Sequence, residues 1–179
     1  MNTFMKRLMA LACFVAFALN LQAQKYACID SDYILKNMTE YIDAQAELDR
    51  MAVEWQKEID KMFKSVDSLY RRFEVEAPML PDNMKEMRKQ QIIEAEKEAK
   101  DLQKKRFGKD GDLFKKRMDL IKPIQDRVFT TIENFAKEKA YAFVFDKAGA
   151  MTILYVDPKF DISEAVMQRL GVVAKSNQD

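Results

Sequence analysis

The side chains that could support chemistry in this sequence are carboxylates that lack the partners catalysis usually needs. Glu94, Glu96 and Glu98 form a dense acidic run, and Glu94 and Glu98 would share one face of a helix. Carboxylate oxygens bind hard cations, but exposed acids at this spacing usually only solvate a helix. The 179 residues contain no histidine, the commonest general base and metal ligand. With no nucleophile–base pair, phosphate-binding loop or metal-ligand spacing, the sequence predicts a protein that is not an enzyme and has no cofactor and no metal.

The overall charge is nearly balanced, with 30 Lys and Arg against 29 Asp and Glu. This balance does not favour a partner that is simply polyanionic. Because 33% of the residues are charged and only four are glycine, the composition favours a helix-rich, elongated protein.

Residues 1–23 have the three-part layout of a cleaved secretory signal. Lys6 and Arg7 precede an apolar run from Leu8 to Leu21, broken only by Asn20, and the segment closes at the small residue Ala23. The run is short for an anchor that crosses ~30 Å of hydrocarbon, and it continues well past Cys13, which disfavours lipid attachment there. We expect export out of the cytoplasm with cleavage before Gln24, and no stable membrane insertion of the mature chain.

Removal of this segment leaves one cysteine, Cys28, and reduces the 30 basic residues by two to 28, for a net charge of −1. A single cysteine cannot form an internal disulfide, and the apolar run around Cys28 predicts a buried thiol. Stability must therefore come from packing or oligomerisation.

Residues 39–135 are predicted to form an antiparallel coiled-coil hairpin with its tip near 77–83, where Pro78 and Pro81 stop the first helix. Thr39 can cap the first helix, and Asp82 or Asn83 the second. Residues 107–111 interrupt the return helix, and Pro123 should bend it. The predicted seam of the first helix is Tyr41, Ala44, Leu48, Met51, Trp55, Ile59, Met62, Val66, Leu69 and Phe73. The predicted return seam is Met84, Met87, Gln91, Ala95, Ala99, Leu102, Phe114, Met118, Ile121, Ile124, Val128, Ile132 and Phe135.

Opposite charges face each other in this hairpin if its tip is near residue 80. Residues 43–63, with six acids and three bases, would lie opposite 97–117, with nine bases and four acids. We favour neutralisation between the two helices, although each exposed pair contributes only ~0–1 kcal/mol. The alternative is that the basic run attracts an anionic ligand.

Residues 24–38 and 136–174 are predicted to form a β-containing oligomerisation body. Residues 25–30 favour a strand, and 32–37 a short helix after a cap from the acidic run at 30–32. The segments 141–146 and 151–156 favour a β-hairpin, and a last helix opens at 161–164 and stops at Gly171. Residues 175–179 should be frayed. The fold class is α+β and predominantly α, with the hairpin projecting from a small β body completed by oligomerisation, because three short strands are too few for a stable core.

Five segments together resemble the Skp/OmpH family of periplasmic chaperones, and the resemblance covers residues 24–179. They are residues 26–35 (YACIDSDYIL), 107–114 (FGKDGDLF), 120–125 (LIKPIQ), 153–157 (ILYVD) and 161–163 (DIS). The resemblance implies a homotrimer whose strands form a body and whose hairpins enclose a cavity. It also implies an ATP-independent holdase that keeps unfolded outer-membrane β-barrel proteins from aggregating. Many family members are strongly basic, and this chain departs from them in being near neutral.

A holdase needs an adaptable, weakly specific surface, which methionine provides. The candidate client-binding residues are Phe63, Met79, Leu80, Met62, Met84 and Met87. Of these, Met62, Met84 and Met87 fall on the predicted seam, where a coiled-coil core is the more common role. Phe63, off the seam, and Met79 and Leu80, in the turn, are therefore the better candidates for client contact. The candidate oligomerisation residues are Tyr26, Cys28, Ile29, Phe143, Val144, Phe145, Ile153, Leu154 and Tyr155.

Two other functions compete with the chaperone hypothesis. A structural cell-envelope coiled coil would dock one defined partner, whereas a holdase would prevent aggregation broadly. A nucleic-acid binder would use the basic run at 97–117, but export and a net charge of −1 argue against it.

Overall fold

The computed structural model describes residues 24–149 and 153–174. The predicted signal segment, 1–23, and the predicted frayed end, 175–179, lie outside the described residues. The described chain divides into two units. We call residues 24–34, 131–149 and 153–174 the sheet unit, and residues 35–130 the hairpin unit.

Most of the elements follow one another with short connections, and the longest connection lies between β2 and α6. In order they are β1 (Lys25–Ile29), α1 (Ser31–Asn37), α2 (Thr39–Glu76), α3 (Asp82–Phe107), α4 (Asp112–Leu120), α5 (Lys122–Lys139), β2 (Tyr141–Asp146) and α6 (Ser163–Leu170). Two 3-10 turns occupy Ala77–Met79 and Pro158–Phe160.

The sheet unit is built on two parallel strands that are far apart in the sequence. β1 pairs with β2, and the register places Tyr26 beside Phe143 and Cys28 beside Phe145. The apolar core of this unit consists of Ala27, Cys28, Ile29, Ile34, Phe135, Ile162, Val166 and Met167, all buried. The predicted strand over 25–30 and the predicted burial of Cys28 are both confirmed.

The predicted β-hairpin between 141–146 and 151–156 does not form in the described residues. β2 pairs with β1 instead, and residues 153–157 are outside any strand, whereas Met151 and Thr152 lie outside the described part. Leu154 and Tyr155 are exposed by 93% and 81%, so this segment has no strand partner to cover it. The prediction was wrong because pairing between distant strands leaves no local signal comparable to a turn.

The last helix ends as the sequence predicts. Gly171 adopts a left-handed conformation with φ of 72°, which glycine reaches without the steric cost of a Cβ atom. The N–H of Val172 donates to the carbonyl of Met167 at 2.9 Å, which closes the helix end.

The hairpin unit contains two antiparallel helices, as predicted. α2 has 38 residues, ~57 Å at ~1.5 Å per residue. Nη2 of Arg88 lies 3.8 Å from Oε2 of Glu76, and Nη2 of Arg106 lies 3.6 Å from Oε2 of Glu58, so the numbering runs in opposite directions along α2 and α3. Every predicted seam residue of α2 is buried or half-buried.

The start of the return seam is shifted by one residue from the prediction. Ile92 and Ala99 are buried, and Lys85 and Arg88 are half-buried, whereas Met84 and Met87 are exposed. Long Lys and Arg side chains can cover an apolar seam with their aliphatic stems. A pattern that counted only apolar residues therefore placed the two methionines on the wrong side of α3. Phe114 and Met118 are also exposed rather than on the seam.

The predicted side-chain caps of the hairpin helices are wrong. Thr39 and Asp82 are the first residues of α2 and α3, and no side chain caps either helix. The start of α3 instead follows Pro81, whose carbonyl accepts from the N–H groups of Met84 and Lys85, both at 3.0 Å.

Two interruptions divide the return arm. α3 ends at Phe107 and α4 begins at Asp112, which confirms the predicted break. The second interruption is at Ile121, and Pro123 follows as the second residue of α5. Proline is tolerated there because N–H groups in the first turn have no helical acceptor.

Within the described residues, no helix is long and apolar enough to cross a membrane.

Candidate functional site

Exposed apolar side chains surround the turn of the hairpin. Val75 lies at the end of α2, Met79 in the 3-10 turn, and Met84 and Met87 in the first turns of α3. Their exposed fractions are 72%, 79%, 42% and 63%. We call these four residues the tip cluster. The cluster offers flexible, polarizable apolar contacts that no element of the described chain covers.

The other predicted client-binding residues are less accessible. Met62, Phe63 and Leu80 are half-buried. Sequence reasoning missed Val75, although an apolar residue two positions past the seam residue Phe73 is a signal for an exposed side chain. The structure therefore groups three of the predicted residues with Val75 and leaves the other three half-buried.

Charged residues near the tip cluster pair with one another. Arg88 faces Glu76, and Nζ of Lys85 lies 3.2 Å from Oδ1 of Asp82. Exposed pairs such as these stabilise the fold little. Lys85 and Arg88 are both paired with carboxylates near the hairpin turn. The exposed methionine side chains are therefore the main groups of the tip that lack a partner in the described chain.

The predicted charge neutralisation between 43–63 and 97–117 is confirmed at one ion pair, Glu58 with Arg106. Other charges in these windows pair along their own helix: Arg50 with Glu47 and Glu54, and Lys100 with Glu96. Much of the pairing is therefore local to each helix.

The sheet unit exposes a second set of apolar side chains. Tyr26 and Phe143, neighbours in the β1–β2 register, are exposed by 51% and 58%, and Leu154 and Tyr155 are more exposed still. We call these four the sheet-unit set. Val144, Phe145 and Ile153 are half-buried. Cys28 and Ile29 are already buried in the core of this chain, which leaves little of either side chain for a second subunit.

A polar network ties the segment after β2 to the start of α6. Nζ of Lys147 lies 2.6 Å from Oδ2 of Asp161, and the hydroxyl of Ser163 donates to Oδ1 of Asp161 at 2.6 Å. The N–H of Asp30 donates to the Ser163 hydroxyl at 2.9 Å. The Ser31 hydroxyl donates to Oδ2 of Asp146 at 2.5 Å. The network therefore joins both strands to α6.

The network shifts the pKa values of its members. Partial burial raises the pKa of Asp161, but hydrogen bonds from Lys147 and Ser163 outweigh it and hold that pKa below its ordinary value. The hydrogen bond to Asp161 raises the pKa of Lys147. Burial, and secondarily the nearby Asp161 carboxylate, raise the pKa of the Cys28 thiol, which keeps it protonated and unreactive. In the described residues, no group of three or more His, Cys, Asp or Glu is placed to hold a metal ion.

A long helical hairpin in one unit and a small two-stranded sheet in the other, each with exposed apolar side chains, define a known class of protein. The family model described as "Outer membrane protein (OmpH-like)" matches residues 25–170. The chain belongs to this OmpH-like family, as the resemblance in its sequence implied.

Two individual proteins illustrate the relationship. An uncharacterised protein of Aquifex aeolicus (strain VF5) is 30% identical over 173 residues, which cover 95% of this chain and 99% of the relative. The crystal structure of a candidate outer membrane chaperone (OmpH-like) from Caulobacter crescentus CB15 matches with a TM-score of 0.64. That match covers 87% of this chain and 94% of the other at 12% identity, so it shows a shared fold.

Proposed function

We propose that this protein is an ATP-independent holdase chaperone that binds unfolded outer-membrane proteins and prevents their aggregation. The observation that carries the proposal is the tip cluster, an exposed group of three methionines and a valine on a hairpin of the OmpH-like fold. Flexible thioether side chains can repack against many different apolar segments. Membership of the OmpH-like family supports the chaperone class.

The proposal includes export and assembly. The basic and apolar pattern of residues 1–23 supports a cleaved signal and therefore a periplasmic location. The sheet-unit set supports a homo-oligomer, because solvent-exposed aromatic and aliphatic side chains beside a two-stranded sheet gain stability when another copy covers them. We propose a trimer, as the family resemblance implies, in which the hairpins enclose the client.

The test is light scattering during dilution of a urea-unfolded porin into buffer with the mature chain, residues 24–179, and without ATP. We expect scattering to fall when the oligomer is near-stoichiometric with the porin, and a soluble complex to be recovered. A soluble globular protein unfolded in urea serves as a second client, since a holdase for varied chains should act on both.

Unchanged scattering with several unrelated clients would contradict the holdase proposal. It would favour the envelope-protein hypothesis, in which the hairpin docks one defined partner. Suppression restricted to a single client would point the same way.

A further inference from the structure

One arginine joins three helices at the break in the return arm of the hairpin. Arg106 lies in the last turn of α3, and its guanidinium carbon is 4.7 Å from the centre of the Trp55 ring on α2. Its Nη1 is 2.7 Å from Oδ2 of Asp112, the first residue of α4. Its Nη2 is 3.6 Å from Oε2 of Glu58 on α2. The contacts of Arg106 therefore cross the break.

Arg106 is more enclosed than the other arginine of α3 that reaches α2. The side chains of Arg106 and Asp112 are exposed by 24% and 26%, against 42% and 38% for Arg88 and Glu76. The Nε of Arg106 is buried and has no hydrogen-bond partner in the described chain. An unsatisfied buried donor costs free energy. The ring contact and the two carboxylates must offset that cost to keep the guanidinium in place.

The break itself is tightly packed but lacks a continuous α-helical hydrogen-bond ladder. A Cβ atom on Gly108 would lie 2.4 Å from the carbonyl oxygen of Lys104, and one on Gly111 would lie 2.8 Å from that of Lys105. Both positions therefore require glycine because of close backbone approach. The N–H of Gly108 donates to Lys104 and that of Gly111 donates to Gly108, at 2.8 and 2.9 Å. The α-helical ladder is interrupted after the Gly108 N–H and resumes with the N–H of Lys115, which donates to Gly111 at 3.1 Å. Side chains must therefore contribute to fixing the angle between α3 and α4.

We propose that Arg106 is a latch that fixes the angle between α3 and α4, and that its release lets the return arm bend at residues 108–111. The planar guanidinium stacks on Trp55 while its two ends reach Asp112 and Glu58. A lysine ammonium cannot make this set of contacts, although it keeps the charge. A bend of this kind could fit clients of different size, and that use rests on the proposed function. The role of Arg106 as a latch does not depend on it.

The test is hydrogen exchange of the full mature oligomer, resolved over residues 107–115. In Arg106→Lys, we expect the amides of Gly108, Gly111 and Lys115 to exchange at least about tenfold faster, because opening of the break becomes easier. The matched control is Arg88→Lys, which changes an arginine of the same helix that also pairs with α2 but lies far from the break. Asp112→Asn, which removes one partner while keeping its size, should resemble Arg106→Lys.

A second measurement reads the bend directly. Spin labels attached through Lys97→Cys and Lys116→Cys, at exposed positions on either side of the break, should give a broader distance distribution when Arg106→Lys is added. Labelled chains are diluted with unlabelled ones so that only distances within one subunit contribute.

Local acceleration with a broader distance distribution supports the latch. Exchange at 107–115 within about twofold of the wild type overturns it. Acceleration spread evenly over α2 and α3 also overturns it, because Arg106 would then only stabilise the hairpin as a whole. These readouts do not involve a client, so a failure of the latch is distinct from a failure of the holdase proposal.

Discussion

The ammonium group of Lys147 lies 2.6 Å from the carboxylate of Asp161 and joins the end of β2 to the segment that opens α6. This pair makes the stability of the sheet unit depend on pH at both extremes. Because the pKa of Asp161 is lowered on folding, its contribution is present above its unfolded pKa, ~3.9, and is lost as pH falls through the lower folded value. The pKa of Lys147 is raised, so its contribution is present below ~10.4 and is lost as pH rises through the higher folded value.

Asp161→Asn should lower the free energy of unfolding by about 1–2 kcal/mol at pH 7, since it removes the charge from a half-buried hydrogen-bonded acceptor. The difference from the wild type should shrink as pH falls below ~4. Urea unfolding at one fixed protein concentration measures it, because the proposed oligomerisation would make apparent stability concentration-dependent. Asp157→Asn is the control: Asp157 pairs with Lys159 at the surface and should have a smaller effect. If the difference in free energy of unfolding between Asp161→Asn and the wild type stayed constant down to pH 2, the stabilising role of the Asp161 carboxylate would be contradicted.

Replacing Met79 and Met87 together by serine should weaken suppression of porin aggregation several-fold and leave thermal stability unchanged. Both side chains are largely exposed, so their loss removes client contact without opening the core. Ile93→Ser is the matched control, since Ile93 is exposed by 54% on the same helix but lies outside the tip cluster. Equal losses for the control and the double variant would show that the tip has no special role.

Leu154→Ser with Tyr155→Ser should dissociate the proposed oligomer. These two side chains are the most exposed members of the sheet-unit set, and a subunit interface is where their burial would contribute. Sedimentation velocity measures the change, and Val173→Ser controls for loss of an exposed apolar side chain elsewhere in the sheet unit. An unchanged sedimentation coefficient would place the interface elsewhere.

Ala140→Gly should stabilise the protein by about 0.5–1 kcal/mol. Ala140 connects α5 to β2 with φ of 54°, a left-handed conformation that costs an L-residue ~1–2 kcal/mol. Glycine removes that cost but makes the unfolded chain more flexible, which offsets part of the gain. Thermal unfolding of the variant and of the wild type at equal concentration gives the answer, and a lower melting temperature would refute the prediction.

Local signals in the sequence were enough to predict the hairpin. The apolar spacing from Tyr41 to Phe73 predicts α2 correctly, and Pro78 and Pro81 mark its end. The glycines at 108 and 111 likewise mark a break that the structure contains. Each of these features depends on residues within a few positions of one another, which is where sequence patterns are informative.

Features that depend on competition between side chains or on distant pairing were not predictable in the same way. Arg88 displaced Met87 from the seam because its long stem can cover apolar surface, which a count of apolar residues ignores. The candidate site changed as a result, since exposed Met84 and Met87 now group with Val75. The pairing of β1 with β2 leaves no local pattern at all.

That pairing has a consequence for how the chain acquires its structure. Ser31 and Asp146 are 115 positions apart, and Asp30 and Ser163 are 133 apart. Contacts of such long range pay a large loop-closure cost and form slowly, whereas the hairpin has much shorter loops to close. We therefore expect the hairpin to form first and shorten the distance that the strands must span. Until β2 pairs with it, β1 is an apolar segment whose backbone hydrogen-bonding groups are open to other chains. The newly made chain is then itself prone to aggregation, which is the hazard that a holdase prevents in its clients.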